Sequence, residues 1–175
     1  MKEIRMTVEE LPRRAAELSA GDRVLLSGTV YTSRDAAHKR IVAAMDKGEP
    51  LPYPLEGAVV YYAGPTATKP GMVIGSCGPT TSGRMDVFAP KLLDAGLCCM
   101  IGKGPRSKEV VDAMVRNGAV YLCALGGAGA LACQCIKECR VIAYEDLGCE
   151  SVKQLRVEDF PLVVAIDSRG ESIFG

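Results

Sequence analysis

At 175 residues the chain is long enough for one domain with a sizeable core, and an apolar content of 48% excludes intrinsic disorder. Lys+Arg and Asp+Glu each total 21, so the formal net charge is zero. That balance removes the electrostatic footprint of a nucleic-acid or membrane-surface binder and leaves weak repulsion against self-association. The opening stretch MKEIRMTVEE is charged throughout, so no signal peptide is expected, and no apolar run approaches the roughly 18 residues of a membrane helix. A cytoplasmic protein is expected, whose eight cysteines are reduced thiols rather than a disulfide framework.

In chain order, EELPRRAAELSAGD reads as a short helix ending at Gly21, and DRVLLSGTVYT, residues 22–32, as a β-rich run. A helix follows, with Ser33 as N-cap, Arg34 as its first residue, Asp35 in the first turn and Gly48 as its stop. The proline-rich loop 51–57 leads to strands over 58–64 and 71–78, joined by the turn-rich PTATKP. A helix is expected from Arg84 to Gly96, with Pro90 able to split it, then a short buried strand over 97–102. Residues 108–117 read as a helix with Gly118 beyond its end, and 119–125 as a strand. A glycine-rich turn should lead into a helix up to about residue 138, and the last two strands are expected over 139–148 and 161–170. Continuous apolar runs such as LVVAI suit strands covered on both faces. The pattern predicts a single α/β domain over 1–175 whose sheet is not a plain doubly wound one.

The stretch SCGPTTSGRMDVFAP, residues 76–90, concentrates potential chemistry. A strand-to-helix turn exposes backbone N–H groups where anions are stabilised. Thr80, Thr81 and Ser82 add hydroxyls, Gly78 and Gly83 permit close approach, and Arg84 adds a planar fork suited to a carboxylate. The bland alternative is a capped turn with a solvated arginine. YTSRDAAHKR repeats the arrangement: Arg34 at a helix start opposes the helix dipole unless it meets an anion, although a surface ion pair would serve as well. Lys103, between Gly102 and Gly104 after a buried strand, offers a point charge for a carboxylate or merely a solvated loop lysine. Two arginines at two such turns could clamp both ends of a dicarboxylate.

Three other patterns carry less. Gly127, Gly129 and Ala132 fit a dinucleotide fingerprint, but too little chain follows for a complete dinucleotide fold. Cys133, Cys135 and Cys139 lack the usual C-x2-C ligand spacing, and on a helix only 135 and 139 would share a face; structural thiols fit better. His38, the sole histidine, has no companion ligands at metal-binding spacing but lies one turn from Arg34.

GTVYTSRDAAHKR, YYAGPT, GSCGPTTSGRMD and GKG occur in this order. Together they resemble the C-terminal domain, or separate β subunit, of class I iron–sulfur fumarate hydratases and L(+)-tartrate dehydratases, over nearly the whole chain. The resemblance implies a swivelling β/β/α domain, a mixed sheet flanked by helices. It implies a hydro-lyase acting on a C4 hydroxy-dicarboxylate or its alkene, fumarate first and tartrate as the alternative. It implies a [4Fe-4S] cluster ligated by a partner α subunit, with no metal on this chain. Arg34, Arg84 and Lys103 fall on the family's substrate-binding cations, with Thr81 beside them. Thr80 falls on a threonine with a proton-transfer role, which needs a relay partner because an unassisted threonine is a poor base. The implied assembly is a heteromer, doubled by two-fold symmetry or with a possible homodimer of this chain. A non-catalytic dicarboxylate-binding module and a purely structural partner are the other classes these residues permit.

Overall fold

In a computed structural model, residues 2–65, 73, 75, 77–124 and 134–175 are described. Strand β1 (Glu3–Thr7) and the short helix α1 (Leu11–Arg14) lead to β2 (Arg23–Thr32), α2 (Asp35–Lys47) and β3 (Val59–Tyr61). Then come α3 (Ala89–Asp94), β4 (Cys99–Gly102), α4 (Lys108–Asn117), β5 (Val120–Ala124), β6 (Ile136–Ala143) and β7 (Val152–Ile166). Single turns of 3-10 helix occupy Ala15–Glu17 and Ser82–Met85, and two 3-10 turns meeting at a kink at Gly148 occupy Glu145–Glu150.

The seven strands form one mixed sheet in the order β1-β2-β3-β4-β5-β7-β6, with a further pairing of β2 to β7. Strands β1 to β5 run parallel, and β7 is antiparallel to β2, β5 and β6. The β2–β7 pairing closes a ring, β2-β3-β4-β5-β7, with β1 and β6 attached outside it. Closure removes the edges of the ring strands, and a ring of so few strands is filled by its own side chains.

Alternation along the strands sorts the apolar residues onto two faces. Val24, Leu26, Val30, Val59, Tyr61, Cys99, Ile101, Val120, Leu122, Leu155 and Leu162 meet in one core, which α1 covers through Leu11. Val60, Tyr62, Met100, Tyr121 and Ala165 face the other way, against Ala37 and Ile41 of α2, Leu92 and Leu93 of α3, and Val110, Ala113 and Met114 of α4. This two-sided burial explains why β3, β4 and β5 read as unbroken apolar runs. The expected mixed sheet flanked by helices is present.

Several local expectations change. Strand β1 was not read from the charged amino terminus, yet Ile4 and Met6 alternate with Glu3, Arg5 and Thr7, and the strand pairs in parallel with β2 from Glu3↔Arg23 to Thr7↔Ser27. The helix expected over residues 84–96 is a 3-10 turn followed, from Ala89, by α3 with Pro90 in its first turn, where a missing N–H costs no hydrogen bond. The helix expected up to residue 138 gives way to β6 at Ile136, so Cys139 lies on a strand, not on a helical face with Cys135. Strand β7 begins at Val152, not 161. Pro161 is tolerated inside it because the β6 pairing ends at Val157 and the β5 pairing starts at Leu162. The strand expected over 71–78 and the glycine-rich turn before β6 fall largely or wholly outside the described residues, although Val73 and Gly75 lie in bends.

Candidate functional site

Arg34 follows the carboxyl end of β2, Gly64 follows that of β3, and Lys103 follows that of β4. The carboxyl ends of parallel strands are where α/β sheets bind ligands, because chain turning away from the sheet leaves a crevice there. The loop 77–86 is tied to the same strand ends. Tyr61 donates its hydroxyl to the Cys77 carbonyl, and the Thr80 N–H donates to the Tyr62 carbonyl at 2.6 Å. Thr81 forms a parallel bridge with Lys103, and the Ser82 N–H donates to the Lys103 carbonyl at 2.9 Å. Arg84 crosses to the α2 side, where its Nε lies 3.1 Å from Asp35 Oδ2. All five sequence-predicted site residues, Arg34, Thr80, Thr81, Arg84 and Lys103, therefore belong to one linked cluster of loops.

The three cations differ in what holds them. Arg84 is a little over half exposed and paired with Asp35, whose Oδ1 is buried without a partner. The Arg34 side chain lies across Gly64: a Cβ there would come within 3.0 Å of Arg34 Cδ, 3.1 Å of a terminal guanidinium nitrogen and 3.1 Å of the Cys149 carbonyl. The Arg34 Nε is buried and unpartnered, and among the described residues no carboxylate pairs with Arg34 or Lys103. The Lys103 side chain is exposed.

The local reasons differ from those expected. Arg34, not Ser33, occupies the N-cap of α2, and its side chain makes no cap hydrogen bond. The Ala36 N–H instead donates to Glu150 Oε1 at 3.2 Å, so a carboxylate of this chain already satisfies part of that helix terminus. The Ser33 hydroxyl lies 2.8 Å from His38 Nδ1, which also lies 2.9 Å from the Arg34 carbonyl. His38 is fully buried against Tyr62 and Phe88, and its Nε2 has no partner. Burial pushes its pKa down to about 4, against a smaller opposing pull from the Arg34 carbonyl, so near neutral pH it is an uncharged brace. Ser82 to Met85 is one 3-10 turn, so hydroxyls and side-chain charge, rather than a helix dipole, define that side of the site.

Sequence reasoning missed the support beneath the loops. The Arg106 side chain has 0% exposure; its Nε lies 2.7 Å from Asp86 Oδ1, and the Ser107 N–H donates to Asp86 Oδ2 at 2.7 Å. The Arg106 guanidinium donates to the Tyr62 hydroxyl at 3.2 Å and stands 5.2 Å and 4.8 Å from the ring centroids of Tyr62 and Tyr121. Burial works against its charge, but Tyr62 and Asp86 more than compensate, and its pKa lies above the ordinary arginine value. The available signal was the D of GRMD and the R of GPRS, a pair of opposite charges in neighbouring loops.

The described residues contain no group of three or more His, Cys, Asp or Glu able to hold a metal ion. Burial raises the thiol pKa of Cys98 to about 12 and that of Cys99 well above the ordinary value, the wrong direction for thiolate ligands. These residues do not fit an iron–sulfur cluster. Cys133 and the fingerprint glycines Gly127 and Gly129 lie outside the described residues. Among the described residues no helix is long and apolar enough to cross a membrane.

The geometry so far defines an α/β domain with cations gathered at the carboxyl ends of its parallel strands. The family model for the fumarase C-terminus matches residues 1–175, and the chain belongs to that family. It is 38% identical over 174 residues to a protein named fumarate hydratase 2 from Leishmania major, covering 98% of this chain and 31% of that relative. It is 37% identical over 169 residues to the aerobic class I fumarate hydratase of Escherichia coli K12, covering 95% of this chain and 31% of the relative. A putative L(+)-tartrate dehydratase subunit beta from Methanocaldococcus jannaschii is 40% identical over 164 residues, covering 90% of this chain and 84% of that relative. The chain thus spans about a third of the fumarate hydratases and most of the β subunit.

Proposed function

We propose that this chain is the dicarboxylate-binding part of a [4Fe-4S] hydro-lyase that interconverts fumarate and malate. The observation that carries the reading is the gathering of Arg34, Arg84 and Lys103 around the loop of Thr80 and Thr81, with Arg34 and Lys103 free of any described carboxylate. Cations from separate loops suit the two ends of a C4 diacid, and an arginine fork meets a carboxylate through two parallel hydrogen bonds. When a proton leaves the carbon beside one carboxylate, negative charge builds on that group, and fixed cations stabilise it without reorganising. In this reading Thr80, whose N–H is held by the Tyr62 carbonyl, passes that proton to a carboxylate of the partner, a role that rests on the family resemblance. The cluster is carried by the α subunit, and no step assigned to these residues passes through it. A cytoplasmic heteromer, doubled about a two-fold axis, belongs to the same proposal.

One observation favours a second reading. The relative matched over most of its own length carries the name of a tartrate dehydratase β subunit. Tartrate is also a C4 hydroxy-diacid and would meet the same cations. The test is anaerobic turnover of fumarate and of L(+)-tartrate by this chain alone and co-purified with an α subunit of the same family. Activity and iron only in the complex, with fumarate faster, is the expected result; faster tartrate establishes the second reading. Iron and activity in the isolated chain would overturn the division of labour, and no turnover by either would leave a binding module.

A further inference from the structure

We propose that Arg106 is a positioning residue that sets the spacing of the diacid-binding groups, and so the length of diacid accepted. The inference rests on the diacid reading above and deepens it. Three contacts of the buried guanidinium each lead to a different part of the site. Through Asp86 it reaches the backbone two residues beyond Arg84. Through Tyr62 it reaches the residue whose carbonyl holds the Thr80 N–H. Through the face of Tyr121 it reaches a hydroxyl 2.6 Å from Ser82 Oγ and 2.8 Å from the Gly104 carbonyl. Ser82 Oγ in turn accepts from the Lys103 N–H at 3.0 Å. The segments carrying Thr80, Arg84 and Lys103 therefore hang from one planar cation that touches none of their site-facing groups.

A lysine could keep the charge but not the three directions, because the fork is planar and an ammonium is a point. Buried networks of this kind are cooperative, so loosening one spoke loosens the others. A hydrophobic isostere of a buried ion pair can leave stability unharmed, so stability alone does not account for the arrangement.

The test uses the anaerobically purified complex with its α subunit, turning over whichever of fumarate or tartrate it accepts. Competitive inhibition constants are measured for succinate, with four carbons, and glutarate, with five, in wild type, Tyr121→Phe, Arg106→Lys and Arg84→Ala. Tyr121→Phe keeps the ring and removes only the hydroxyl, so it reports even where Arg106→Lys fails to assemble. The ratio of the glutarate to the succinate constant is expected to fall roughly tenfold in Tyr121→Phe and in Arg106→Lys, within the discrimination that one methylene carries. A purely structural role would lower the active fraction and leave that ratio alone. An unchanged ratio in both Tyr121→Phe and Arg106→Lys, with Arg84→Ala weakening both inhibitors, overturns the role of Arg106 and leaves the diacid site intact. Arg84→Ala leaving both constants unchanged overturns the diacid reading and this inference with it.

Discussion

The hydroxyl of Ser82 occupies the space that a Cβ on Gly102 would fill. A side chain there would collide with Ser82 Oγ and stand 2.9 Å from Tyr62 Cδ2. The absence of a side chain at 102 thus lets the 77–86 loop close onto the end of β4 and bring Thr81 beside Lys103. Gly102→Ala should destabilise the protein by about 1–3 kcal/mol, the usual cost of overpacking, and abolish turnover in whatever remains folded. Thermal unfolding with a rate measurement on the folded fraction checks both; a native unfolding temperature and rate would refute the contact.

Gly64 plays the corresponding part on the other side. Its replacement by alanine presses on Arg34 Cδ, on one terminal guanidinium nitrogen and on the Cys149 carbonyl, at 3.0 to 3.1 Å. Such contacts are relieved by shifts of a few tenths of an ångström, and the guanidinium end is the freest to give. Gly64→Ala should therefore cost less than about 1 kcal/mol of stability while lowering kcat/KM by at least about tenfold, since small misplacements of substrate-binding groups are expensive in rate. Steady-state kinetics beside a urea titration separates the two effects, and a rate loss matched by an equal loss of folded protein would contradict the assignment.

Arg84 is held by Asp35 across the loop interface at 3.1 Å. Both side chains are more than a third exposed or close to it, so the pair stabilises the fold by no more than about 1 kcal/mol. Asp35→Asn should leave the unfolding midpoint nearly unchanged but release Arg84 and raise KM for the diacid several-fold. An Asp35→Asn enzyme with wild-type KM would show that Arg84 needs no such tether.

His38 gives a pH dependence with a definite sign. Its folded-state pKa, pushed by burial to about 4, lies below the ordinary 6.5. The unfolded chain therefore binds more protons between those values, and stability falls as pH drops from 6.5 toward 4. The loss approaches about 3 kcal/mol by the acid end of that window. His38→Asn, which keeps a neutral donor near the Arg34 carbonyl, should be destabilised at pH 7 but lose correspondingly less on acidification. Urea midpoints at pH 7 and pH 5 decide the matter; equal slopes in both proteins would mean that His38 is not held neutral.

Arg34, Arg84 and Lys103 were singled out in the sequence because each sits beside glycine or at a strand end; the fold brings their loops together but pairs Arg84 with Asp35. The strands β2 to β5 and the Pro90 break were legible from apolar runs and turn residues. The ring closure was not, because β7 begins in VKQLRVEDF, whose buried Leu155 and Val157 alternate with charged residues that only β2 and β6 explain. The cap of α2 was misread because Glu150, more than a hundred residues away, takes the place that Ser33 was expected to fill. Arg106 escaped notice for the same reason. Its partners come from the residue after β3, from β5 and from the 77–86 loop, and a lone arginine in a proline-containing loop looks solvated until the fold surrounds it.

The most direct test of the account is the hydration rate of fumarate by the assembled complex carrying Arg84→Ala, measured beside wild type at matched iron content. Loss of one preorganised cation from the site should lower the rate by roughly 10²–10³. A rate close to wild type would contradict the claim that this chain supplies the dicarboxylate-binding charge.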